Sequence, residues 1–227
     1  MNFTDLLNRR IRADGARPLL ITYDADGNRT ELSPISYGNW VAKGANLITD
    51  TIDADTGDVI ALPLVAAHQG HWMSLVWVGA CWTAGIEVRL QPDGDEVATV
   101  AGPELDFGDS AAMKYACSLH PLGFGFTTDL PAGVDDWTVE VRGEGDVFAG
   151  LTPMADDLAW CGQSLTDVLD TESISDTVLI TPETSDPLAV IRTALVGPLL
   201  GGGASVVVHG DQPGIADREQ ARPVILT

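Results

Sequence analysis

The chain has 227 residues, 45% of them hydrophobic, with 33 acidic side chains against 12 basic ones and a net charge of −21 at pH 7. That length allows one large domain or two small ones, and the apolar share is enough for a packed core, which excludes a disordered chain. A surface of that sign repels phosphate backbones, which excludes nucleic acid and anionic membranes as partners, and it opposes ATP or coenzyme A unless the few arginines are gathered in one place.

In chain order, Phe3, Leu6, Leu7 and Ile11 stand at helical spacing and predict a surface helix over residues 2–13. Residues 19–23 are an apolar run of strand length that ends in the turn-forming stretch 24–28. Ser33 and Pro34 are an N-cap and a first-turn proline, and Tyr37, Trp40, Val41, Ile48 and Ile52 lie on one face of the helix that follows. After the polar run 53–57, residues 58–63 are continuously apolar, as strands buried on both faces are.

Residues 71–83, with Trp72, Trp77 and Trp82, are apolar around the whole circumference and predict a buried helix ended by Gly85. Residues 86–90 return as a strand, so this stretch is a right-handed parallel βαβ unit. Further on the pattern predicts a strand at 97–101, a helix at 110–119, a surface loop over 121–136, a strand at 137–141 and a helix over 156–169. The tail repeats the clearer logic: strand 177–180, helix 188–200, the glycines Gly201-Gly202-Gly203, and strand 204–209. The expectation is one α/β domain over residues 1–227, a mostly parallel twisted sheet flanked by helices.

Candidate sites are few. Cys81, Cys117 and Cys161 form no CxxC pair and have apolar neighbours, so all three are read as buried thiols in a reducing compartment. Residues 2–13 hold no signal-peptide core, and residues 72–86 are too short to span a bilayer, so the cytoplasm is the expected location. His68 and His71 have a spacing that suits two metal ligands, but no third ligand is in sight and a structural role is favoured. His120 and His209 have no adjacent serine or cysteine to activate. Gly201-Gly202-Gly203 follow a helix, where glycine caps the last turn, instead of opening one as a phosphate loop does. The acidic runs Asp24/Asp26, Asp53/Asp55/Asp58, Asp93/Asp95 and Asp135/Asp136 are read as solvated turns, since none fits a calcium loop. Gly143-Glu144-Gly145-Asp146 is the other glycine-rich turn, and its carboxylates oppose phosphate.

Several ordered segments resemble the opening part of AMP-forming acyl-activating enzymes, the superfamily of acyl-CoA synthetases, adenylation domains and luciferases. They are Arg17-Pro18-Leu19-Leu20-Ile21, Leu32-Ser33-Pro34-Ile35-Ser36-Tyr37, Thr56-Gly57-Asp58-Val59-Ile60-Ala61-Leu62, Gly79-Ala80-Cys81-Trp82-Thr83-Ala84-Gly85 and the stretch from Leu195 to Val208. The resemblance is strongest to uncharacterised actinobacterial proteins, and it covers about two-thirds of the chain. It implies an α/β fold like the N-terminal subdomains of adenylate-forming enzymes. It also sets a phosphate loop just before Thr152 and a helix after Leu151-Thr152-Pro153. There the chain has Val141-Arg142-Gly143-Glu144-Gly145-Asp146-Val147-Phe148-Ala149-Gly150, with carboxylates in place of the loop's hydroxyls and lysine. The positions that the family uses for adenine, ribose and the C-terminal catalytic lysine have no counterpart among these 227 residues. The resemblance therefore implies a degenerate adenylating scaffold that binds a small ligand or regulates, with no catalytic, cofactor or metal residue assigned. ATP, AMP or coenzyme A would be its ligand class. The alternatives are an interaction protein that forms a homo-oligomer or binds a protein partner, and a ligase component that works with a separate chain.

Overall fold

The computed structural model describes residues 2–151, 153–182 and 186–226. Helix α1 (Phe3–Asp14) starts at Asn2, whose side chain accepts the Asp5 N–H at 2.8 Å, and it buries Phe3, Leu6 and Leu7. Strand β1 (Leu20–Tyr23) is buried throughout and turns into β2 (Arg29–Leu32). Sequence reading leaves β2 out because only Leu32 of its four residues is buried, so it carries no apolar signal. Helix α2 (Pro34–Asn46) is capped by Ser33 and runs on through a wider π turn over Leu47–Thr51. Strand β3 (Val59–Ala61) leads into the short helix α3 (Pro63–Ala67), opened by its own proline.

Helix α4 (Trp72–Ala84) is buried at all thirteen positions and ends at Gly85, whose φ of +77° closes the last turn before β4 (Glu87–Arg89). The helix can be apolar all round because it packs against α2, β1 and β4. Its approach to α2 is close: a Cβ added at Gly44 would lie 2.8 Å from that of Ala80, and one at Gly79 would strike the Tyr37 hydroxyl. Tyr37 donates that hydroxyl to the Leu75 carbonyl at 2.8 Å, locking the two helices together.

The middle of the chain departs from the pattern four times. After β5 (Ala98–Ala101), residues 110–119 are not helical; they supply β6 (Met113–Ala116), which pairs in parallel with β5. Pairing to an existing edge outweighs the weak helical spacing of so short a run. Within the loop 121–136 the last residues form β7 (Val134–Asp136) beside β6. Residues 137–141 are not a strand but the start of helix α5 (Trp137–Arg142), because Asp136 accepts the Thr138 N–H at 2.9 Å and nucleates it. Residues 156–169 are not one helix: they form the hairpin β8 (Leu158–Trp160) and β9 (Gln163–Ser164), then the short α6 (Leu165–Leu169). Cys161 and Gly162 have φ of +46° and +79°, the two positive values of a two-residue hairpin turn, and that turn breaks the helical period.

The last third follows expectation. β10 (Thr177–Ile180) precedes α7 (Pro187–Ile191), which continues through a π stretch over Arg192–Val196 into α8 (Gly197–Gly201). Gly202 caps it at φ +83°, and β11 (Ala204–Val208), α9 (Ile215–Arg218) and β12 (Arg222–Pro223) complete the chain. Among the described residues the strands form two sheets, β12-β10-β11-β1-β2 and β7-β6-β5-β3-β4-β8-β9. Every pairing is parallel except the hairpins β1–β2 and β8–β9. One core joins Leu20 and Val207 of the first sheet to Ile60, Val88 and Val100 of the second.

Candidate functional site at the carboxyl ends of the strands

The four histidines, scattered in sequence, all follow strands and come to the carboxyl-end side of the sheets. His68 ends α3 after β3, His71 caps α4, His120 follows β6, and His209 follows β11 directly. The His71 and His209 rings are 6.5 Å apart, which bridges the two sheets. Beside His209, at the ends of α3, β10 and β11, opens a cleft of about 170 Å³ lined by Ala66, Ala67, Gln69, Thr181, His209 and Gly210. In open parallel sheets this edge is where ligands bind, because loops there surround a crevice that no side chain of the sheet fills. Sequence spacing gives no sign of the convergence, since positions 68 and 209 meet only through the sheet order.

Both bridging histidines are neutral. Burial lowers the His71 pKa to about 3, with His209 and His68 nearby acting in the same direction. Its ring nitrogen Nδ1 accepts the Met73 N–H at 3.2 Å, which leaves the proton on Nε2, and the ring donates to the Leu119 backbone carbonyl. Burial also lowers the pKa of His209, whose Nε2 is enclosed without a hydrogen-bond partner. A buried ring nitrogen in that state is an open position for a ligand's donor or acceptor. His68 instead meets Glu104 at 2.9 Å. His68 and His71 thus make separate contacts, and no group of three metal-binding side chains occurs among the described residues. His120 packs edge-on against Phe124 and accepts the Leu122 N–H, while Ser118 accepts its backbone N–H.

The arginines do gather, but at the opposite end of the first sheet. Arg10, Arg17 and Arg29 line a cleft of about 370 Å³ beside Thr177 and Ala204, the first residues of β10 and β11. Each already pairs with a carboxylate. Arg10 lies 3.1 Å from Asp14 and donates to the Gly203 carbonyl, Arg17 lies 3.4 Å from the same Asp14, and Arg29 sits between Glu31 and Glu219 at 2.6 and 2.8 Å. Arg29, and then Tyr23, hold the Glu219 carboxyl below its ordinary range. A phosphate entering here would have to displace carboxylates.

The segment that stands in the phosphate loop's place lies along α2. Lys43 donates to the Glu144 carbonyl and pairs with Asp146 at 3.1 Å, Asn46 donates to the Gly145 and Val147 carbonyls, and Thr51 donates to Glu144. Thr152 lies outside the described residues, and the helix expected after Pro153 does not start there. The next helix is α6, and the connection before it is the two-residue turn Cys161-Gly162, too tight to encircle a phosphate. Gly162 gives its N–H to Glu87 at 2.7 Å, and Cys161 gives its own to Val88. Among the described residues, none of these places offers the free cations or clustered backbone N–H groups that a triphosphate needs, so their side chains do not fit ATP.

Two further expectations are corrected. Cys81 and Cys117 are buried, and burial raises both thiols, but Cys161 is exposed because it occupies the hairpin tip. Asp135 and Asp136 belong to β7, and Asp136 works as a cap that also accepts the Phe126 N–H at 2.7 Å. The other acidic runs do lie in turns, with Asp24 and Asp58 accepting local backbone N–H groups. Gly201-Gly202-Gly203 end a helix, as their order in the sequence predicts.

No protein-family model matches the chain. A Mycobacterium tuberculosis protein that carries only a numbered family label is 32% identical over 149 residues, covering 62% of this chain and 59% of its own length. Among solved structures, an acyl-CoA synthetase of Brucella canis superposes with a TM-score of 0.72 at 16% identity, over 97% of this chain and 46% of its own. An acetoacetyl-CoA synthetase from Streptomyces lividans gives 0.70 at 16% identity, over 97% of this chain and 41% of its own. An anthranilate-CoA ligase in complex with anthranoyl-AMP gives 0.66 at 11% identity, over 96% of this chain and 47% of its own. At these identities the likeness is one of fold: the chain has the architecture of the N-terminal part of the acyl-CoA synthetases, and spans less than half of their length.

Proposed function

We propose that the chain is an adenylating-enzyme-like scaffold that does not itself activate carboxylates and that binds a small ligand in the cleft between its two sheets. The observation that supports this reading is the meeting of strand carboxyl ends around His209, a neutral ring with an enclosed, unpartnered nitrogen. The paired arginines and the tight Cys161-Gly162 turn argue against a triphosphate, so the ligand is uncharged or carries one phosphate at most.

The test is a thermal-shift titration with adenosine, AMP, ATP and coenzyme A, with and without magnesium, beside an ATP–pyrophosphate exchange assay. The reading expects a saturable rise in melting temperature for adenosine or AMP, lost in His209→Leu, and no exchange. Exchange of pyrophosphate would favour the ligase component working with a separate chain. A flat response to all four compounds would favour an interaction protein. That second reading draws on Val147, Leu151, Met154 and Leu158, four large apolar side chains exposed by 78%, 82%, 70% and 48% within twelve residues.

A further inference from the structure

A second cavity, of about 270 Å³, lies between α1, α2, α4 and residues 146–148 and shares no lining residue with the histidine cleft. Its wall is apolar over Leu7, Ile11, Val41, Ala42 and Phe148. Thr83, in the last turn of α4, also lines it. This threonine is 4% exposed, and its hydroxyl has no hydrogen-bond partner. A threonine inside a helix ordinarily returns its hydroxyl to the carbonyl four residues back, here that of Gly79. Leaving the group buried and unmatched costs stability, which an occupant able to match it would recover. Asp146 is the charged residue on the wall, and Lys43 neutralises it at 3.1 Å. The space holds roughly nine waters' worth of volume, the scale of a single aromatic or short aliphatic compound.

We propose that this cavity binds a small uncharged amphiphile, its aryl or alkyl body against Leu7, Ile11, Val41 and Phe148 and its one hydrogen-bonding group on the Thr83 hydroxyl. The site is separate from the strand-end cleft, and its occupant has no need of phosphate recognition. Because three helices and the 146–148 segment meet there, binding fastens that segment to α1 and α2.

The probe is N-phenyl-1-naphthylamine, an uncharged aryl amine whose emission rises in apolar surroundings, titrated into the full chain at pH 7. A saturable rise is expected. Thr83→Val keeps the shape and removes the hydroxyl, so it should leave the melting temperature unchanged or raised while weakening the probe by about five-fold. Ala42→Leu fills the cavity and should weaken it more than ten-fold, whereas His209→Leu should leave it unaltered. Should Ala42→Leu fail to fold by circular dichroism, Val147→Asp sets a charge at the exposed edge and is read in the same titration. Binding that never saturates would overturn the proposal. So would equal affinity in wild type, Thr83→Val and the cavity variant, or loss in His209→Leu alone.

Discussion

Replacing Trp77 with alanine would remove the ring at the middle of α4, which is fully buried and lies 6.1 Å from the Tyr115 ring and 5.8 Å from that of Trp137. A tryptophan of this kind buries about 150–250 Å². At ~25 cal/mol/Å² that is roughly 4–6 kcal/mol. Residual compactness of the unfolded chain trims it by about 10–40%, to roughly 3–5 kcal/mol, which agrees with the usual cost of large-to-small changes in cores. A domain of ordinary stability has about 5–15 kcal/mol in all, so the variant keeps only part of it. Urea unfolding followed by far-ultraviolet circular dichroism, which does not depend on the lost fluorophore, should show an earlier midpoint with an unchanged slope. A loss below about 1 kcal/mol would refute the argument, because α4 would then not be the centre of the core.

His71→Asn keeps a capping side chain at the start of α4 but removes the ring that is held neutral to about pH 3. The wild type loses stability as pH falls from about 6.5 towards 3, because only its unfolded state takes up that proton, and the variant should lose less in acid melts over that window. Burial raises the Glu96 carboxyl, but hydrogen bonds from Ser110 and from the Asp93 and Gly94 backbone outweigh it and set its pKa to about 2. Glu96→Gln should therefore lower stability at pH 7 and flatten the decline between about pH 4.5 and 2. Cys161→Asn puts the favoured Asn-Gly pair into the β8–β9 turn, so the melting temperature should rise by a few degrees, and the one exposed thiol of the wild type should disappear from a thiol-reagent titration of the folded protein.

What was legible in the sequence follows from the size of the local signal. The strands 58–63 and 204–209 and the helix 71–83 are long apolar runs bounded by Gly or Asp, and each sits within a residue or two of its expected place. Residues 110–119, 137–141 and 156–169 are shorter and mix apolar with polar positions, and there one hydrogen-bonding side chain or one turn decides the outcome. Asp136 makes 137–142 a helix, and the positive φ of Cys161 makes 158–164 a hairpin. The candidate cleft was not legible at all. His209 and the histidines near it are 3 to 141 positions apart in sequence, and they come together because β11 lies between β10 and the distant β1, so that the end of β11 reaches the start of α4. The exposure of Cys161 was hidden for a local reason, since its apolar neighbour Trp160 turns inward while the turn tip faces out.

The charge distribution sharpens the difference between a scaffold that has kept phosphate recognition and one that has not. With a net charge of −21, a ligand bearing several phosphates is repelled at long range, and only local cations could reverse that. The arginines beside β10 and β11 are spent on Asp14, Glu31 and Glu219, and Lys43 is spent on Asp146. The strand-end cleft, in contrast, is walled by neutral groups: Ala66, Ala67, Thr181 and a His209 whose pKa lies below its ordinary value. A ligand suited to such walls binds through shape and one or two hydrogen bonds, so its affinity should barely change between 50 mM and 500 mM salt. A polyphosphate held against this field would instead respond strongly, because salt screens the repulsion within about 10 Å at 0.1 M. A salt series on whichever compound raises the melting temperature therefore separates the cases: a flat series supports a neutral-ligand cleft, affinity that rises steeply with salt marks a charged ligand held against the protein's field, and affinity that falls steeply marks a cationic site that the paired arginines do not provide.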